Sequence, residues 1–199
     1  MSSVLIDKPQ SYPVRRLWTV SEFERAIDAG IFRADERLEL INGEILNKMP
    51  QNSPHSSGIS ALEAALRPIF ISGSYLRIQM PLVLGEHDRP EPDIAVVAGT
   101  WRDYIDGHPR TALLVVEVAD STLLGDRRDK AALYARAGIA DYWILNLPEY
   151  RLEVHRRPEL INAEMTVSRY QEVSHYTGPQ TVAPLAVPAA MVAVSDLLP

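Results

Sequence analysis

The stretch Thr111–Asp120, TALLVVEVAD, constrains the fold of this chain more than any other feature. In a strand, alternation places Glu117 on the same face as Val115 and Ala119, and both faces are otherwise apolar. Two apolar faces are typical of a strand buried between two layers. A carboxylate there costs free energy unless it has a partner, a metal ion or a shared proton. The sequence therefore predicts a buried strand that carries one unusual acid.

Composition narrows the class of protein. The absence of cysteine excludes a disulfide scaffold, a thiolate nucleophile and a zinc site with sulfur ligands. The net charge of −6 argues against a surface that grips nucleic acid everywhere, but not against acids clustered around a divalent cation. The N-terminal residues contain no long apolar run, so we expect no signal peptide, no membrane span and a cytoplasmic protein.

The order of the predicted elements indicates one α/β domain with a mixed sheet. We expect an extended segment over residues 1–17, because Pro9 and Pro13 block regular structure, and a single domain over residues 18–199. Periodicity predicts helices over residues 55–70 and 124–137, and strands over residues 75–84, 92–97, 111–120, 141–147, 150–156, 165–174 and 191–194.

Two local motifs predict how the domain begins. A capping box formed by Thr19 and Glu22 predicts a short helix that stops at Gly30. The Asn42-Gly43 pair lies between two alternating runs and predicts a type I′ hairpin over residues 37–48.

Two acids stand on apolar strands: Asp93, directly after a proline, and Glu117. If the two strands are neighbours, which short connections favour, both carboxylates converge on one hard cation. Two carboxylates, a backbone carbonyl such as that of Val118, and water molecules suit Mg²⁺ or Mn²⁺. The alternative is structural: Asp93 caps a turn and Glu117 pairs with a nearby base. That alternative is less favoured for both acids together than for either alone.

A lysine on the following helix is predicted to point toward these acids. Lys130 belongs to a stripe, at spacings of three and four, that is otherwise apolar except for Asp126. An ammonium on such a stripe needs a partner, and the acids of the sheet supply one. The alternative is a surface ion pair with Asp126, a common i,i+4 arrangement. Two acids and a lysine around a divalent cation suit phosphodiester hydrolysis, since the lysine can orient or deprotonate the attacking water.

These residues resemble the Uma2 family of restriction-endonuclease-like proteins, within the PD-(D/E)XK nuclease superfamily. The resemblance implies a restriction-endonuclease-like mixed β-sheet core flanked by helices, with an extra N-terminal helix and hairpin and extra C-terminal strands. It also implies a Mg²⁺-dependent DNA endonuclease. The motifs that carry it are RLELINGEI (37–45), SPHSSGI (53–59), RPEPDIAVV (89–97), LLVVEVADST (113–122) and DRRDKAALYARAGIADYWIL (126–145).

The chain departs from the superfamily pattern at one catalytic position. The usual lysine, two residues after the second acid, falls at Ala119. Family members that lack it often carry a lysine on the following helix, which corresponds to Lys130 here. The short motif after the strand reads Asp120-Ser121-Thr122, where the family more often has Ser-Pro-Ser.

Three further residues are candidates for the same site. Glu39 lies between apolar neighbours where the family also has an acid, and is expected to hold a second metal ion or a water; an exposed hairpin acid is the alternative. His55 is a candidate to contact phosphate or a metal ion, against the simpler interpretation of a helix-start residue. Gln79 is a candidate to bond a ligating carboxylate or a phosphate. Tyr134 and Trp143 are interpreted as core residues.

The leading hypothesis is a metal-dependent endonuclease that hydrolyses DNA. In this hypothesis Asp93 and Glu117 bind Mg²⁺ or Mn²⁺, Lys130 activates water, and Glu39 and Gln79 assist. One rival is a catalytically weak nucleic-acid-binding module on the same fold, which the acidic net charge favours. The other rival is a metal-dependent hydrolase of a small phosphoester. DNA is the expected partner, and a homodimer stays open because nucleases that cut two strands are often paired.

Overall fold

The structure, a computed structural model, describes residues 14–162 and 167–199 as a mixed α/β fold. The predictions for residues 1–13 and 163–166 lie outside the described residues. The elements in chain order are α1 (Val20–Asp28), β1 (Leu38–Ile41), β2 (Glu44–Asn47), α2 (Ser53–Leu66), β3 (Ser74–Ile78), β4 (Ile94–Ala98), β5 (Leu114–Ala119), α3 (Leu123–Gly125), a π-helical turn (Asp126–Lys130), α4 (Ala131–Arg136), β6 (Asp141–Asn146), β7 (Arg151–Asn162), β8 (Val167–Thr177), β9 (Thr181–Val182) and β10 (Val192–Ala193).

A six-stranded mixed sheet forms the centre, in the order β3-β4-β5-β6-β7-β8. Among the described residues of this sheet, only β5 and β6 pair in parallel, and the predicted mixed sheet is confirmed. Every residue of β5 is buried, as its apolar faces predict. Each fully buried Val or Leu stabilises the fold by about 1.5–3 kcal/mol. The strand can therefore carry one buried acid and still stabilise the sheet.

Two apolar layers cover the faces of this sheet. Leu62 and Leu66 of α2 pack with Trp143 on one face, where the short C-terminal strands β9 and β10 also contribute. Leu133 and Tyr134 of α4 pack on the other face. Among the described residues, no helix is long and apolar enough to cross a membrane.

Both predicted motifs at the start of the domain are confirmed. Thr19 Oγ1 accepts a hydrogen bond from the Glu22 N–H at 3.2 Å, and the Glu22 carboxylate accepts one from the Thr19 N–H at 3.1 Å. In the hairpin, Asn42 and Gly43 have φ values of 52° and 73°, as a type I′ turn requires. The hairpin directs β1, with its acid, toward the central sheet.

Two predicted elements end at least four residues too late. The strand over residues 75–84 ends at Ile78, because Gln79 adopts a left-handed φ of 50° and Pro81 follows without an N–H. The helix over residues 55–70 runs from Ser53 to Leu66 and stops before Pro68. The turn at Gln79 has a use, since its N–H donates to the Asp93 carbonyl at 3.0 Å.

The predicted continuous helix over residues 124–137 is wrong in one respect. The π-helical turn interrupts it between α3 and α4. Such turns are rare and occur often at functional sites. Here the turn carries Asp126, which is buried, and Lys130, whose side chain is 15% exposed.

The buried His155 predicts a loss of stability in acid. Its ring packs against Tyr142 and Tyr170, with centroid separations of 5.4 and 5.7 Å. Burial lowers the pKa of His155 to about 4. Between about pH 6.5 and this value the unfolded chain binds more protons than the folded one. Stability therefore falls as the pH drops through this window, by up to about 3 kcal/mol from this group.

Replacing this residue by an apolar ring isolates the effect. In His155→Phe, the free energy of unfolding by urea should fall less between pH 7 and pH 4.5 than in the wild type. His175→Phe is the matched control, because His175 is exposed. An equal loss of stability in the wild type and in His155→Phe would contradict the prediction.

Candidate active site

A cavity of about 220 Å³ lies where β4 begins and β5 ends. It brings together most of the candidate residues, while Gln79 stands outside the cavity wall, behind Asp93. The predicted residues that line the cavity are Glu39, His55, Asp93, Glu117, Val118 and Lys130.

Asp93 is held rigidly at the start of β4. Antiparallel pairing of β4 with β5, with Ile94 opposite Val116, puts the two acids next to each other, as short connections predict. The Asp93 carboxylate accepts hydrogen bonds from the Val118 N–H at 2.9 Å and from the Gln79 amide at 3.1 Å. It is 3% exposed. The turn-cap alternative for Asp93 is therefore wrong.

The electrostatics of Asp93 favour its ionised form. Burial alone would raise the pKa of this carboxyl, but His55, with Nε2 3.3 Å from Asp93 Oδ2, outweighs burial and lowers the pKa to about 2. The same contact raises the pKa of His55 against the opposing effect of burial. His55 is thus more than a helix-start residue, and it also has a buried Nδ1 without a partner among the described residues.

Glu117 is 2% exposed, and one of its carboxylate oxygens accepts two hydrogen bonds. Oε1 accepts from Lys130 Nζ at 3.0 Å and from the Tyr134 hydroxyl at 2.7 Å. Burial raises the pKa of Glu117 to about 7 against the charge of Lys130, and the nearby Asp93 adds to the rise. The positive charge around Glu117 therefore does not offset its burial, whereas His55 does so for Asp93.

Lys130 faces the sheet, as the stripe predicts. Its Nζ lies 3.0 Å from Glu117 Oε1, 3.5 Å from Glu39 Oε1 and 3.9 Å from Asp126 Oδ1. The pair with Asp126 is thus the longest of the three contacts and is not on the surface. Burial opposes its charge, but these carboxylates raise the pKa of Lys130 well above its usual value. Lys130 is therefore a fixed cation at neutral pH and is not poised to take a proton from water.

Glu39 joins the same cluster from the hairpin. It is 6% exposed, so the alternative of an exposed hairpin acid is wrong. Its Oε2 accepts from the Glu91 N–H at 3.1 Å, while its Oε1 faces Lys130. The β1 strand, the start of β4 and the end of β5 each contribute one acid to the cavity, and the π-helical turn contributes two, Asp126 and Asp129.

Sequence reasoning missed two contributions to the site. In the sequence, Tyr134 looks like a core aromatic residue. Its hydroxyl has a partner only because α4 crosses above Glu117. The available signal was its position four residues after Lys130, which puts both side chains on the same face of the helix. Lys48 also lines the cavity. Its signal was rarity, since the chain contains three lysines against 17 arginines.

The donor set fits a magnesium-type ion. Among residues 14–162 and 167–199, no group of three or more His, Asp or Glu side chains is arranged to hold a metal ion. Mg²⁺ does not require such a cage, because it usually keeps several waters and uses one or two carboxylates together with substrate phosphate. Asp93 and Glu117 supply those two carboxylates, and the incompletely offset charge of Glu117 favours a divalent cation.

The Tyr134 contact predicts an indirect effect on the acids. Tyr134→Phe removes one of the two hydrogen bonds to Glu117 Oε1 and should weaken Mn²⁺ binding by about 10- to 100-fold, as loss of outer-shell partners does. Calorimetric titration measures this. Tyr142→Phe is the matched control, because that hydroxyl donates at 3.1 Å to the Asp126 backbone carbonyl instead. Equal Mn²⁺ affinity in both variants would contradict a positioning role for Tyr134.

Comparison of the sequence identifies the family of the chain, and comparison of the structure supports its fold. The sequence profile of the Uma2 family, described as "Putative restriction endonuclease", matches residues 20–195. A solved structure from Anabaena variabilis, titled as a putative nuclease belonging to DUF820, superimposes with a TM-score of 0.66 at 16% identity, covering 90% of this chain and 96% of that one. At this identity the likeness concerns the fold alone. None of the curated proteins compared with the chain matches it.

Proposed function

Because the chain belongs to the Uma2 family and shares its fold with a protein titled as a putative nuclease, we propose that it is a metal-dependent endonuclease that hydrolyses DNA phosphodiester bonds. The observation that carries this proposal is the convergence of Asp93 and Glu117 in one cavity, with Lys130 bonded to Glu117. DNA is the proposed substrate, and Mg²⁺ or Mn²⁺ the proposed cofactor.

In this proposal the chain's own residues divide the work. Asp93 and Glu117, with the Val118 carbonyl, hold the cation, which when bound polarises the phosphate and makes water more acidic. Gln79 and His55 orient Asp93 through their contacts with its two oxygens. Because it lies next to Asp93, His55 is also a candidate for an additional ligand of the cation.

Lys130 and Glu39 act next to that centre. The charge of Lys130 orients the attacking water and offsets negative charge that develops on the phosphate. Because its pKa is raised, Lys130 acts on the water through its positive charge. Glu39 shares the Lys130 ammonium and holds it in place, 3.5 Å away.

The test is nicking of a supercoiled plasmid with Mg²⁺, with Mn²⁺ or with a chelator. We expect metal-dependent nicking by the wild type and strongly reduced nicking by Asp93→Ala and Lys130→Ala. Arg128→Ala is the control, since Arg128 is an exposed cation of the same π-helical turn. Equal activity in the wild type and the two site variants would contradict the mechanism.

One observation favours a second candidate, hydrolysis of a small phosphoester. Asp93 and Glu117 are only 3% and 2% exposed, at the base of a cavity that a free phosphodiester enters more easily than a rigid duplex. The Asn52 amide also donates a hydrogen bond to the Asp120 carboxylate, and this bond joins two residues of the cavity wall. Turnover of bis(p-nitrophenyl) phosphate without any nicking of duplex DNA would favour this candidate.

A further inference from the structure

The positions of the lysines in this chain are informative. The sequence contains three lysines, at positions 8, 48 and 130, against 17 arginines. Lys48 and Lys130 line the same cavity. An ammonium is a compact point charge on a flexible stem, whereas a guanidinium is a wide planar fork. The cavity thus holds two compact cations in a chain that otherwise prefers arginine.

The two lysines are bound in different ways. Lys130 donates one hydrogen bond, to Glu117, and lies within 4 Å of three carboxylates, so its charge is neutralised by the protein. Lys48 Nζ donates at 2.5 Å to the Glu91 backbone carbonyl and lies 3.7 Å from Glu91 Oε1. The second distance is too long for a hydrogen bond, and an ammonium has three donors. Lys48 therefore keeps donor capacity on the cavity wall.

Lys48 also lies close enough to act on the acids. Burial has the largest effect on the pKa of both Asp93 and Glu117 and raises it, while the charge of Lys48 is among the causes that lower it. The Lys48 side chain is 11% exposed. Desolvation on this scale strengthens its attraction for an anion that enters the cavity.

We propose that Lys48 binds a phosphate oxygen of the substrate. The ligand class is a phosphodiester anion, which Lys48 contacts in the cavity that holds Asp93 and Glu117. This inference rests on the function proposed above and adds a division of labour to it. Lys130 is the fixed counter-charge of the acids, and Lys48 is the cation that faces the substrate.

The test is Lys48→Met, which keeps the length of the stem and removes the charge. The KM for DNA cleavage in Mg²⁺ should rise about tenfold, as expected for the loss of one charged hydrogen bond. The dependence of log(kcat/KM) on log[salt] should become shallower by about one contact. Mn²⁺ affinity, measured by calorimetry, should stay equal or increase, because a cation next to the acids has gone.

In Lys48→Met, the raised KM for DNA without a loss of Mn²⁺ affinity separates this role from a structural one. A variant that merely disturbs the fold weakens Mn²⁺ binding together with DNA binding, and that result would overturn the inference, as would an unchanged KM. Lys48→Arg keeps the charge, and its KM should lie between those of the wild type and Lys48→Met. Arg37→Met is the matched control, because Arg37 pairs with Glu91 at 2.8 Å from outside the cavity wall. A wild-type protein that cleaves nothing would instead overturn the proposed function, and the inference with it.

Discussion

Asp93→Asn should reduce metal-dependent cleavage by more than about 100-fold, because loss of outer-shell partners alone costs 10- to 100-fold and Asp93 is proposed as a direct ligand. The substitution is isosteric but removes the charge. The side chain can still accept the Val118 N–H, so we expect the fold to persist. Initial rates of plasmid nicking measure the loss of cleavage, and Mn²⁺ titration measures the accompanying loss of metal affinity.

A second buried aspartate provides the control for this variant. Asp141 is fully buried and pairs with Arg156 at 2.8 Å, away from the cavity wall. Asp141→Asn should lower the thermal unfolding temperature but leave Mn²⁺ affinity unchanged. If Asp93→Asn binds Mn²⁺ as tightly as Asp141→Asn does, Asp93 is not a ligand.

Lys130→Met should destabilise the protein by about 3–5 kcal/mol at pH 7, the cost of removing one partner from a buried ionic cluster. The substitution leaves Glu117, Glu39 and Asp126 together without their shared cation. Urea unfolding measures the change. We also expect cleavage to fall to the level of the Asp93 variant.

The loss in Lys130→Met should depend on pH in a defined direction. Burial already raises the pKa of Glu117 and of Asp126 above their values in the unfolded chain, and loss of the Lys130 charge should raise both further. Groups with raised values stabilise the fold at low pH and lose that contribution as the pH increases. The gap to the wild type should therefore narrow between pH 7 and pH 5. Arg128→Met, on the exposed side of the same turn, should show no such gap.

The convergence of the acids was accessible from sequence because it depends on coarse features. A proline-preceded Asp93 and a Glu117 inside an apolar run are visible without a fold, and short connections make their strands neighbours. The inward direction of Lys130 follows from the same logic, because the rest of its stripe is apolar. The hairpin follows from Asn42-Gly43, where the side chains themselves favour a positive φ.

The remaining features depend on tertiary contacts that no local pattern encodes. The stripe of residues through the π-helical turn keeps the spacings of three and four that are typical of an α-helix. The interruption before Ala131 is therefore invisible in the sequence. The early end of β3 requires the left-handed Gln79, whose N–H finds the Asp93 carbonyl only in the folded chain. The hydroxyl of Tyr134 becomes informative only when Glu117 lies beneath it.

The most direct test of the central claim is a crystal soaked in Mn²⁺ and measured for anomalous scattering. We expect one anomalous peak in contact with the carboxylates of Asp93 and Glu117, and its absence from crystals of Asp93→Asn. A soaked crystal with both acids ordered and no peak between them, or with a peak unaffected by the substitution, would contradict the claim that these two residues hold the catalytic cation.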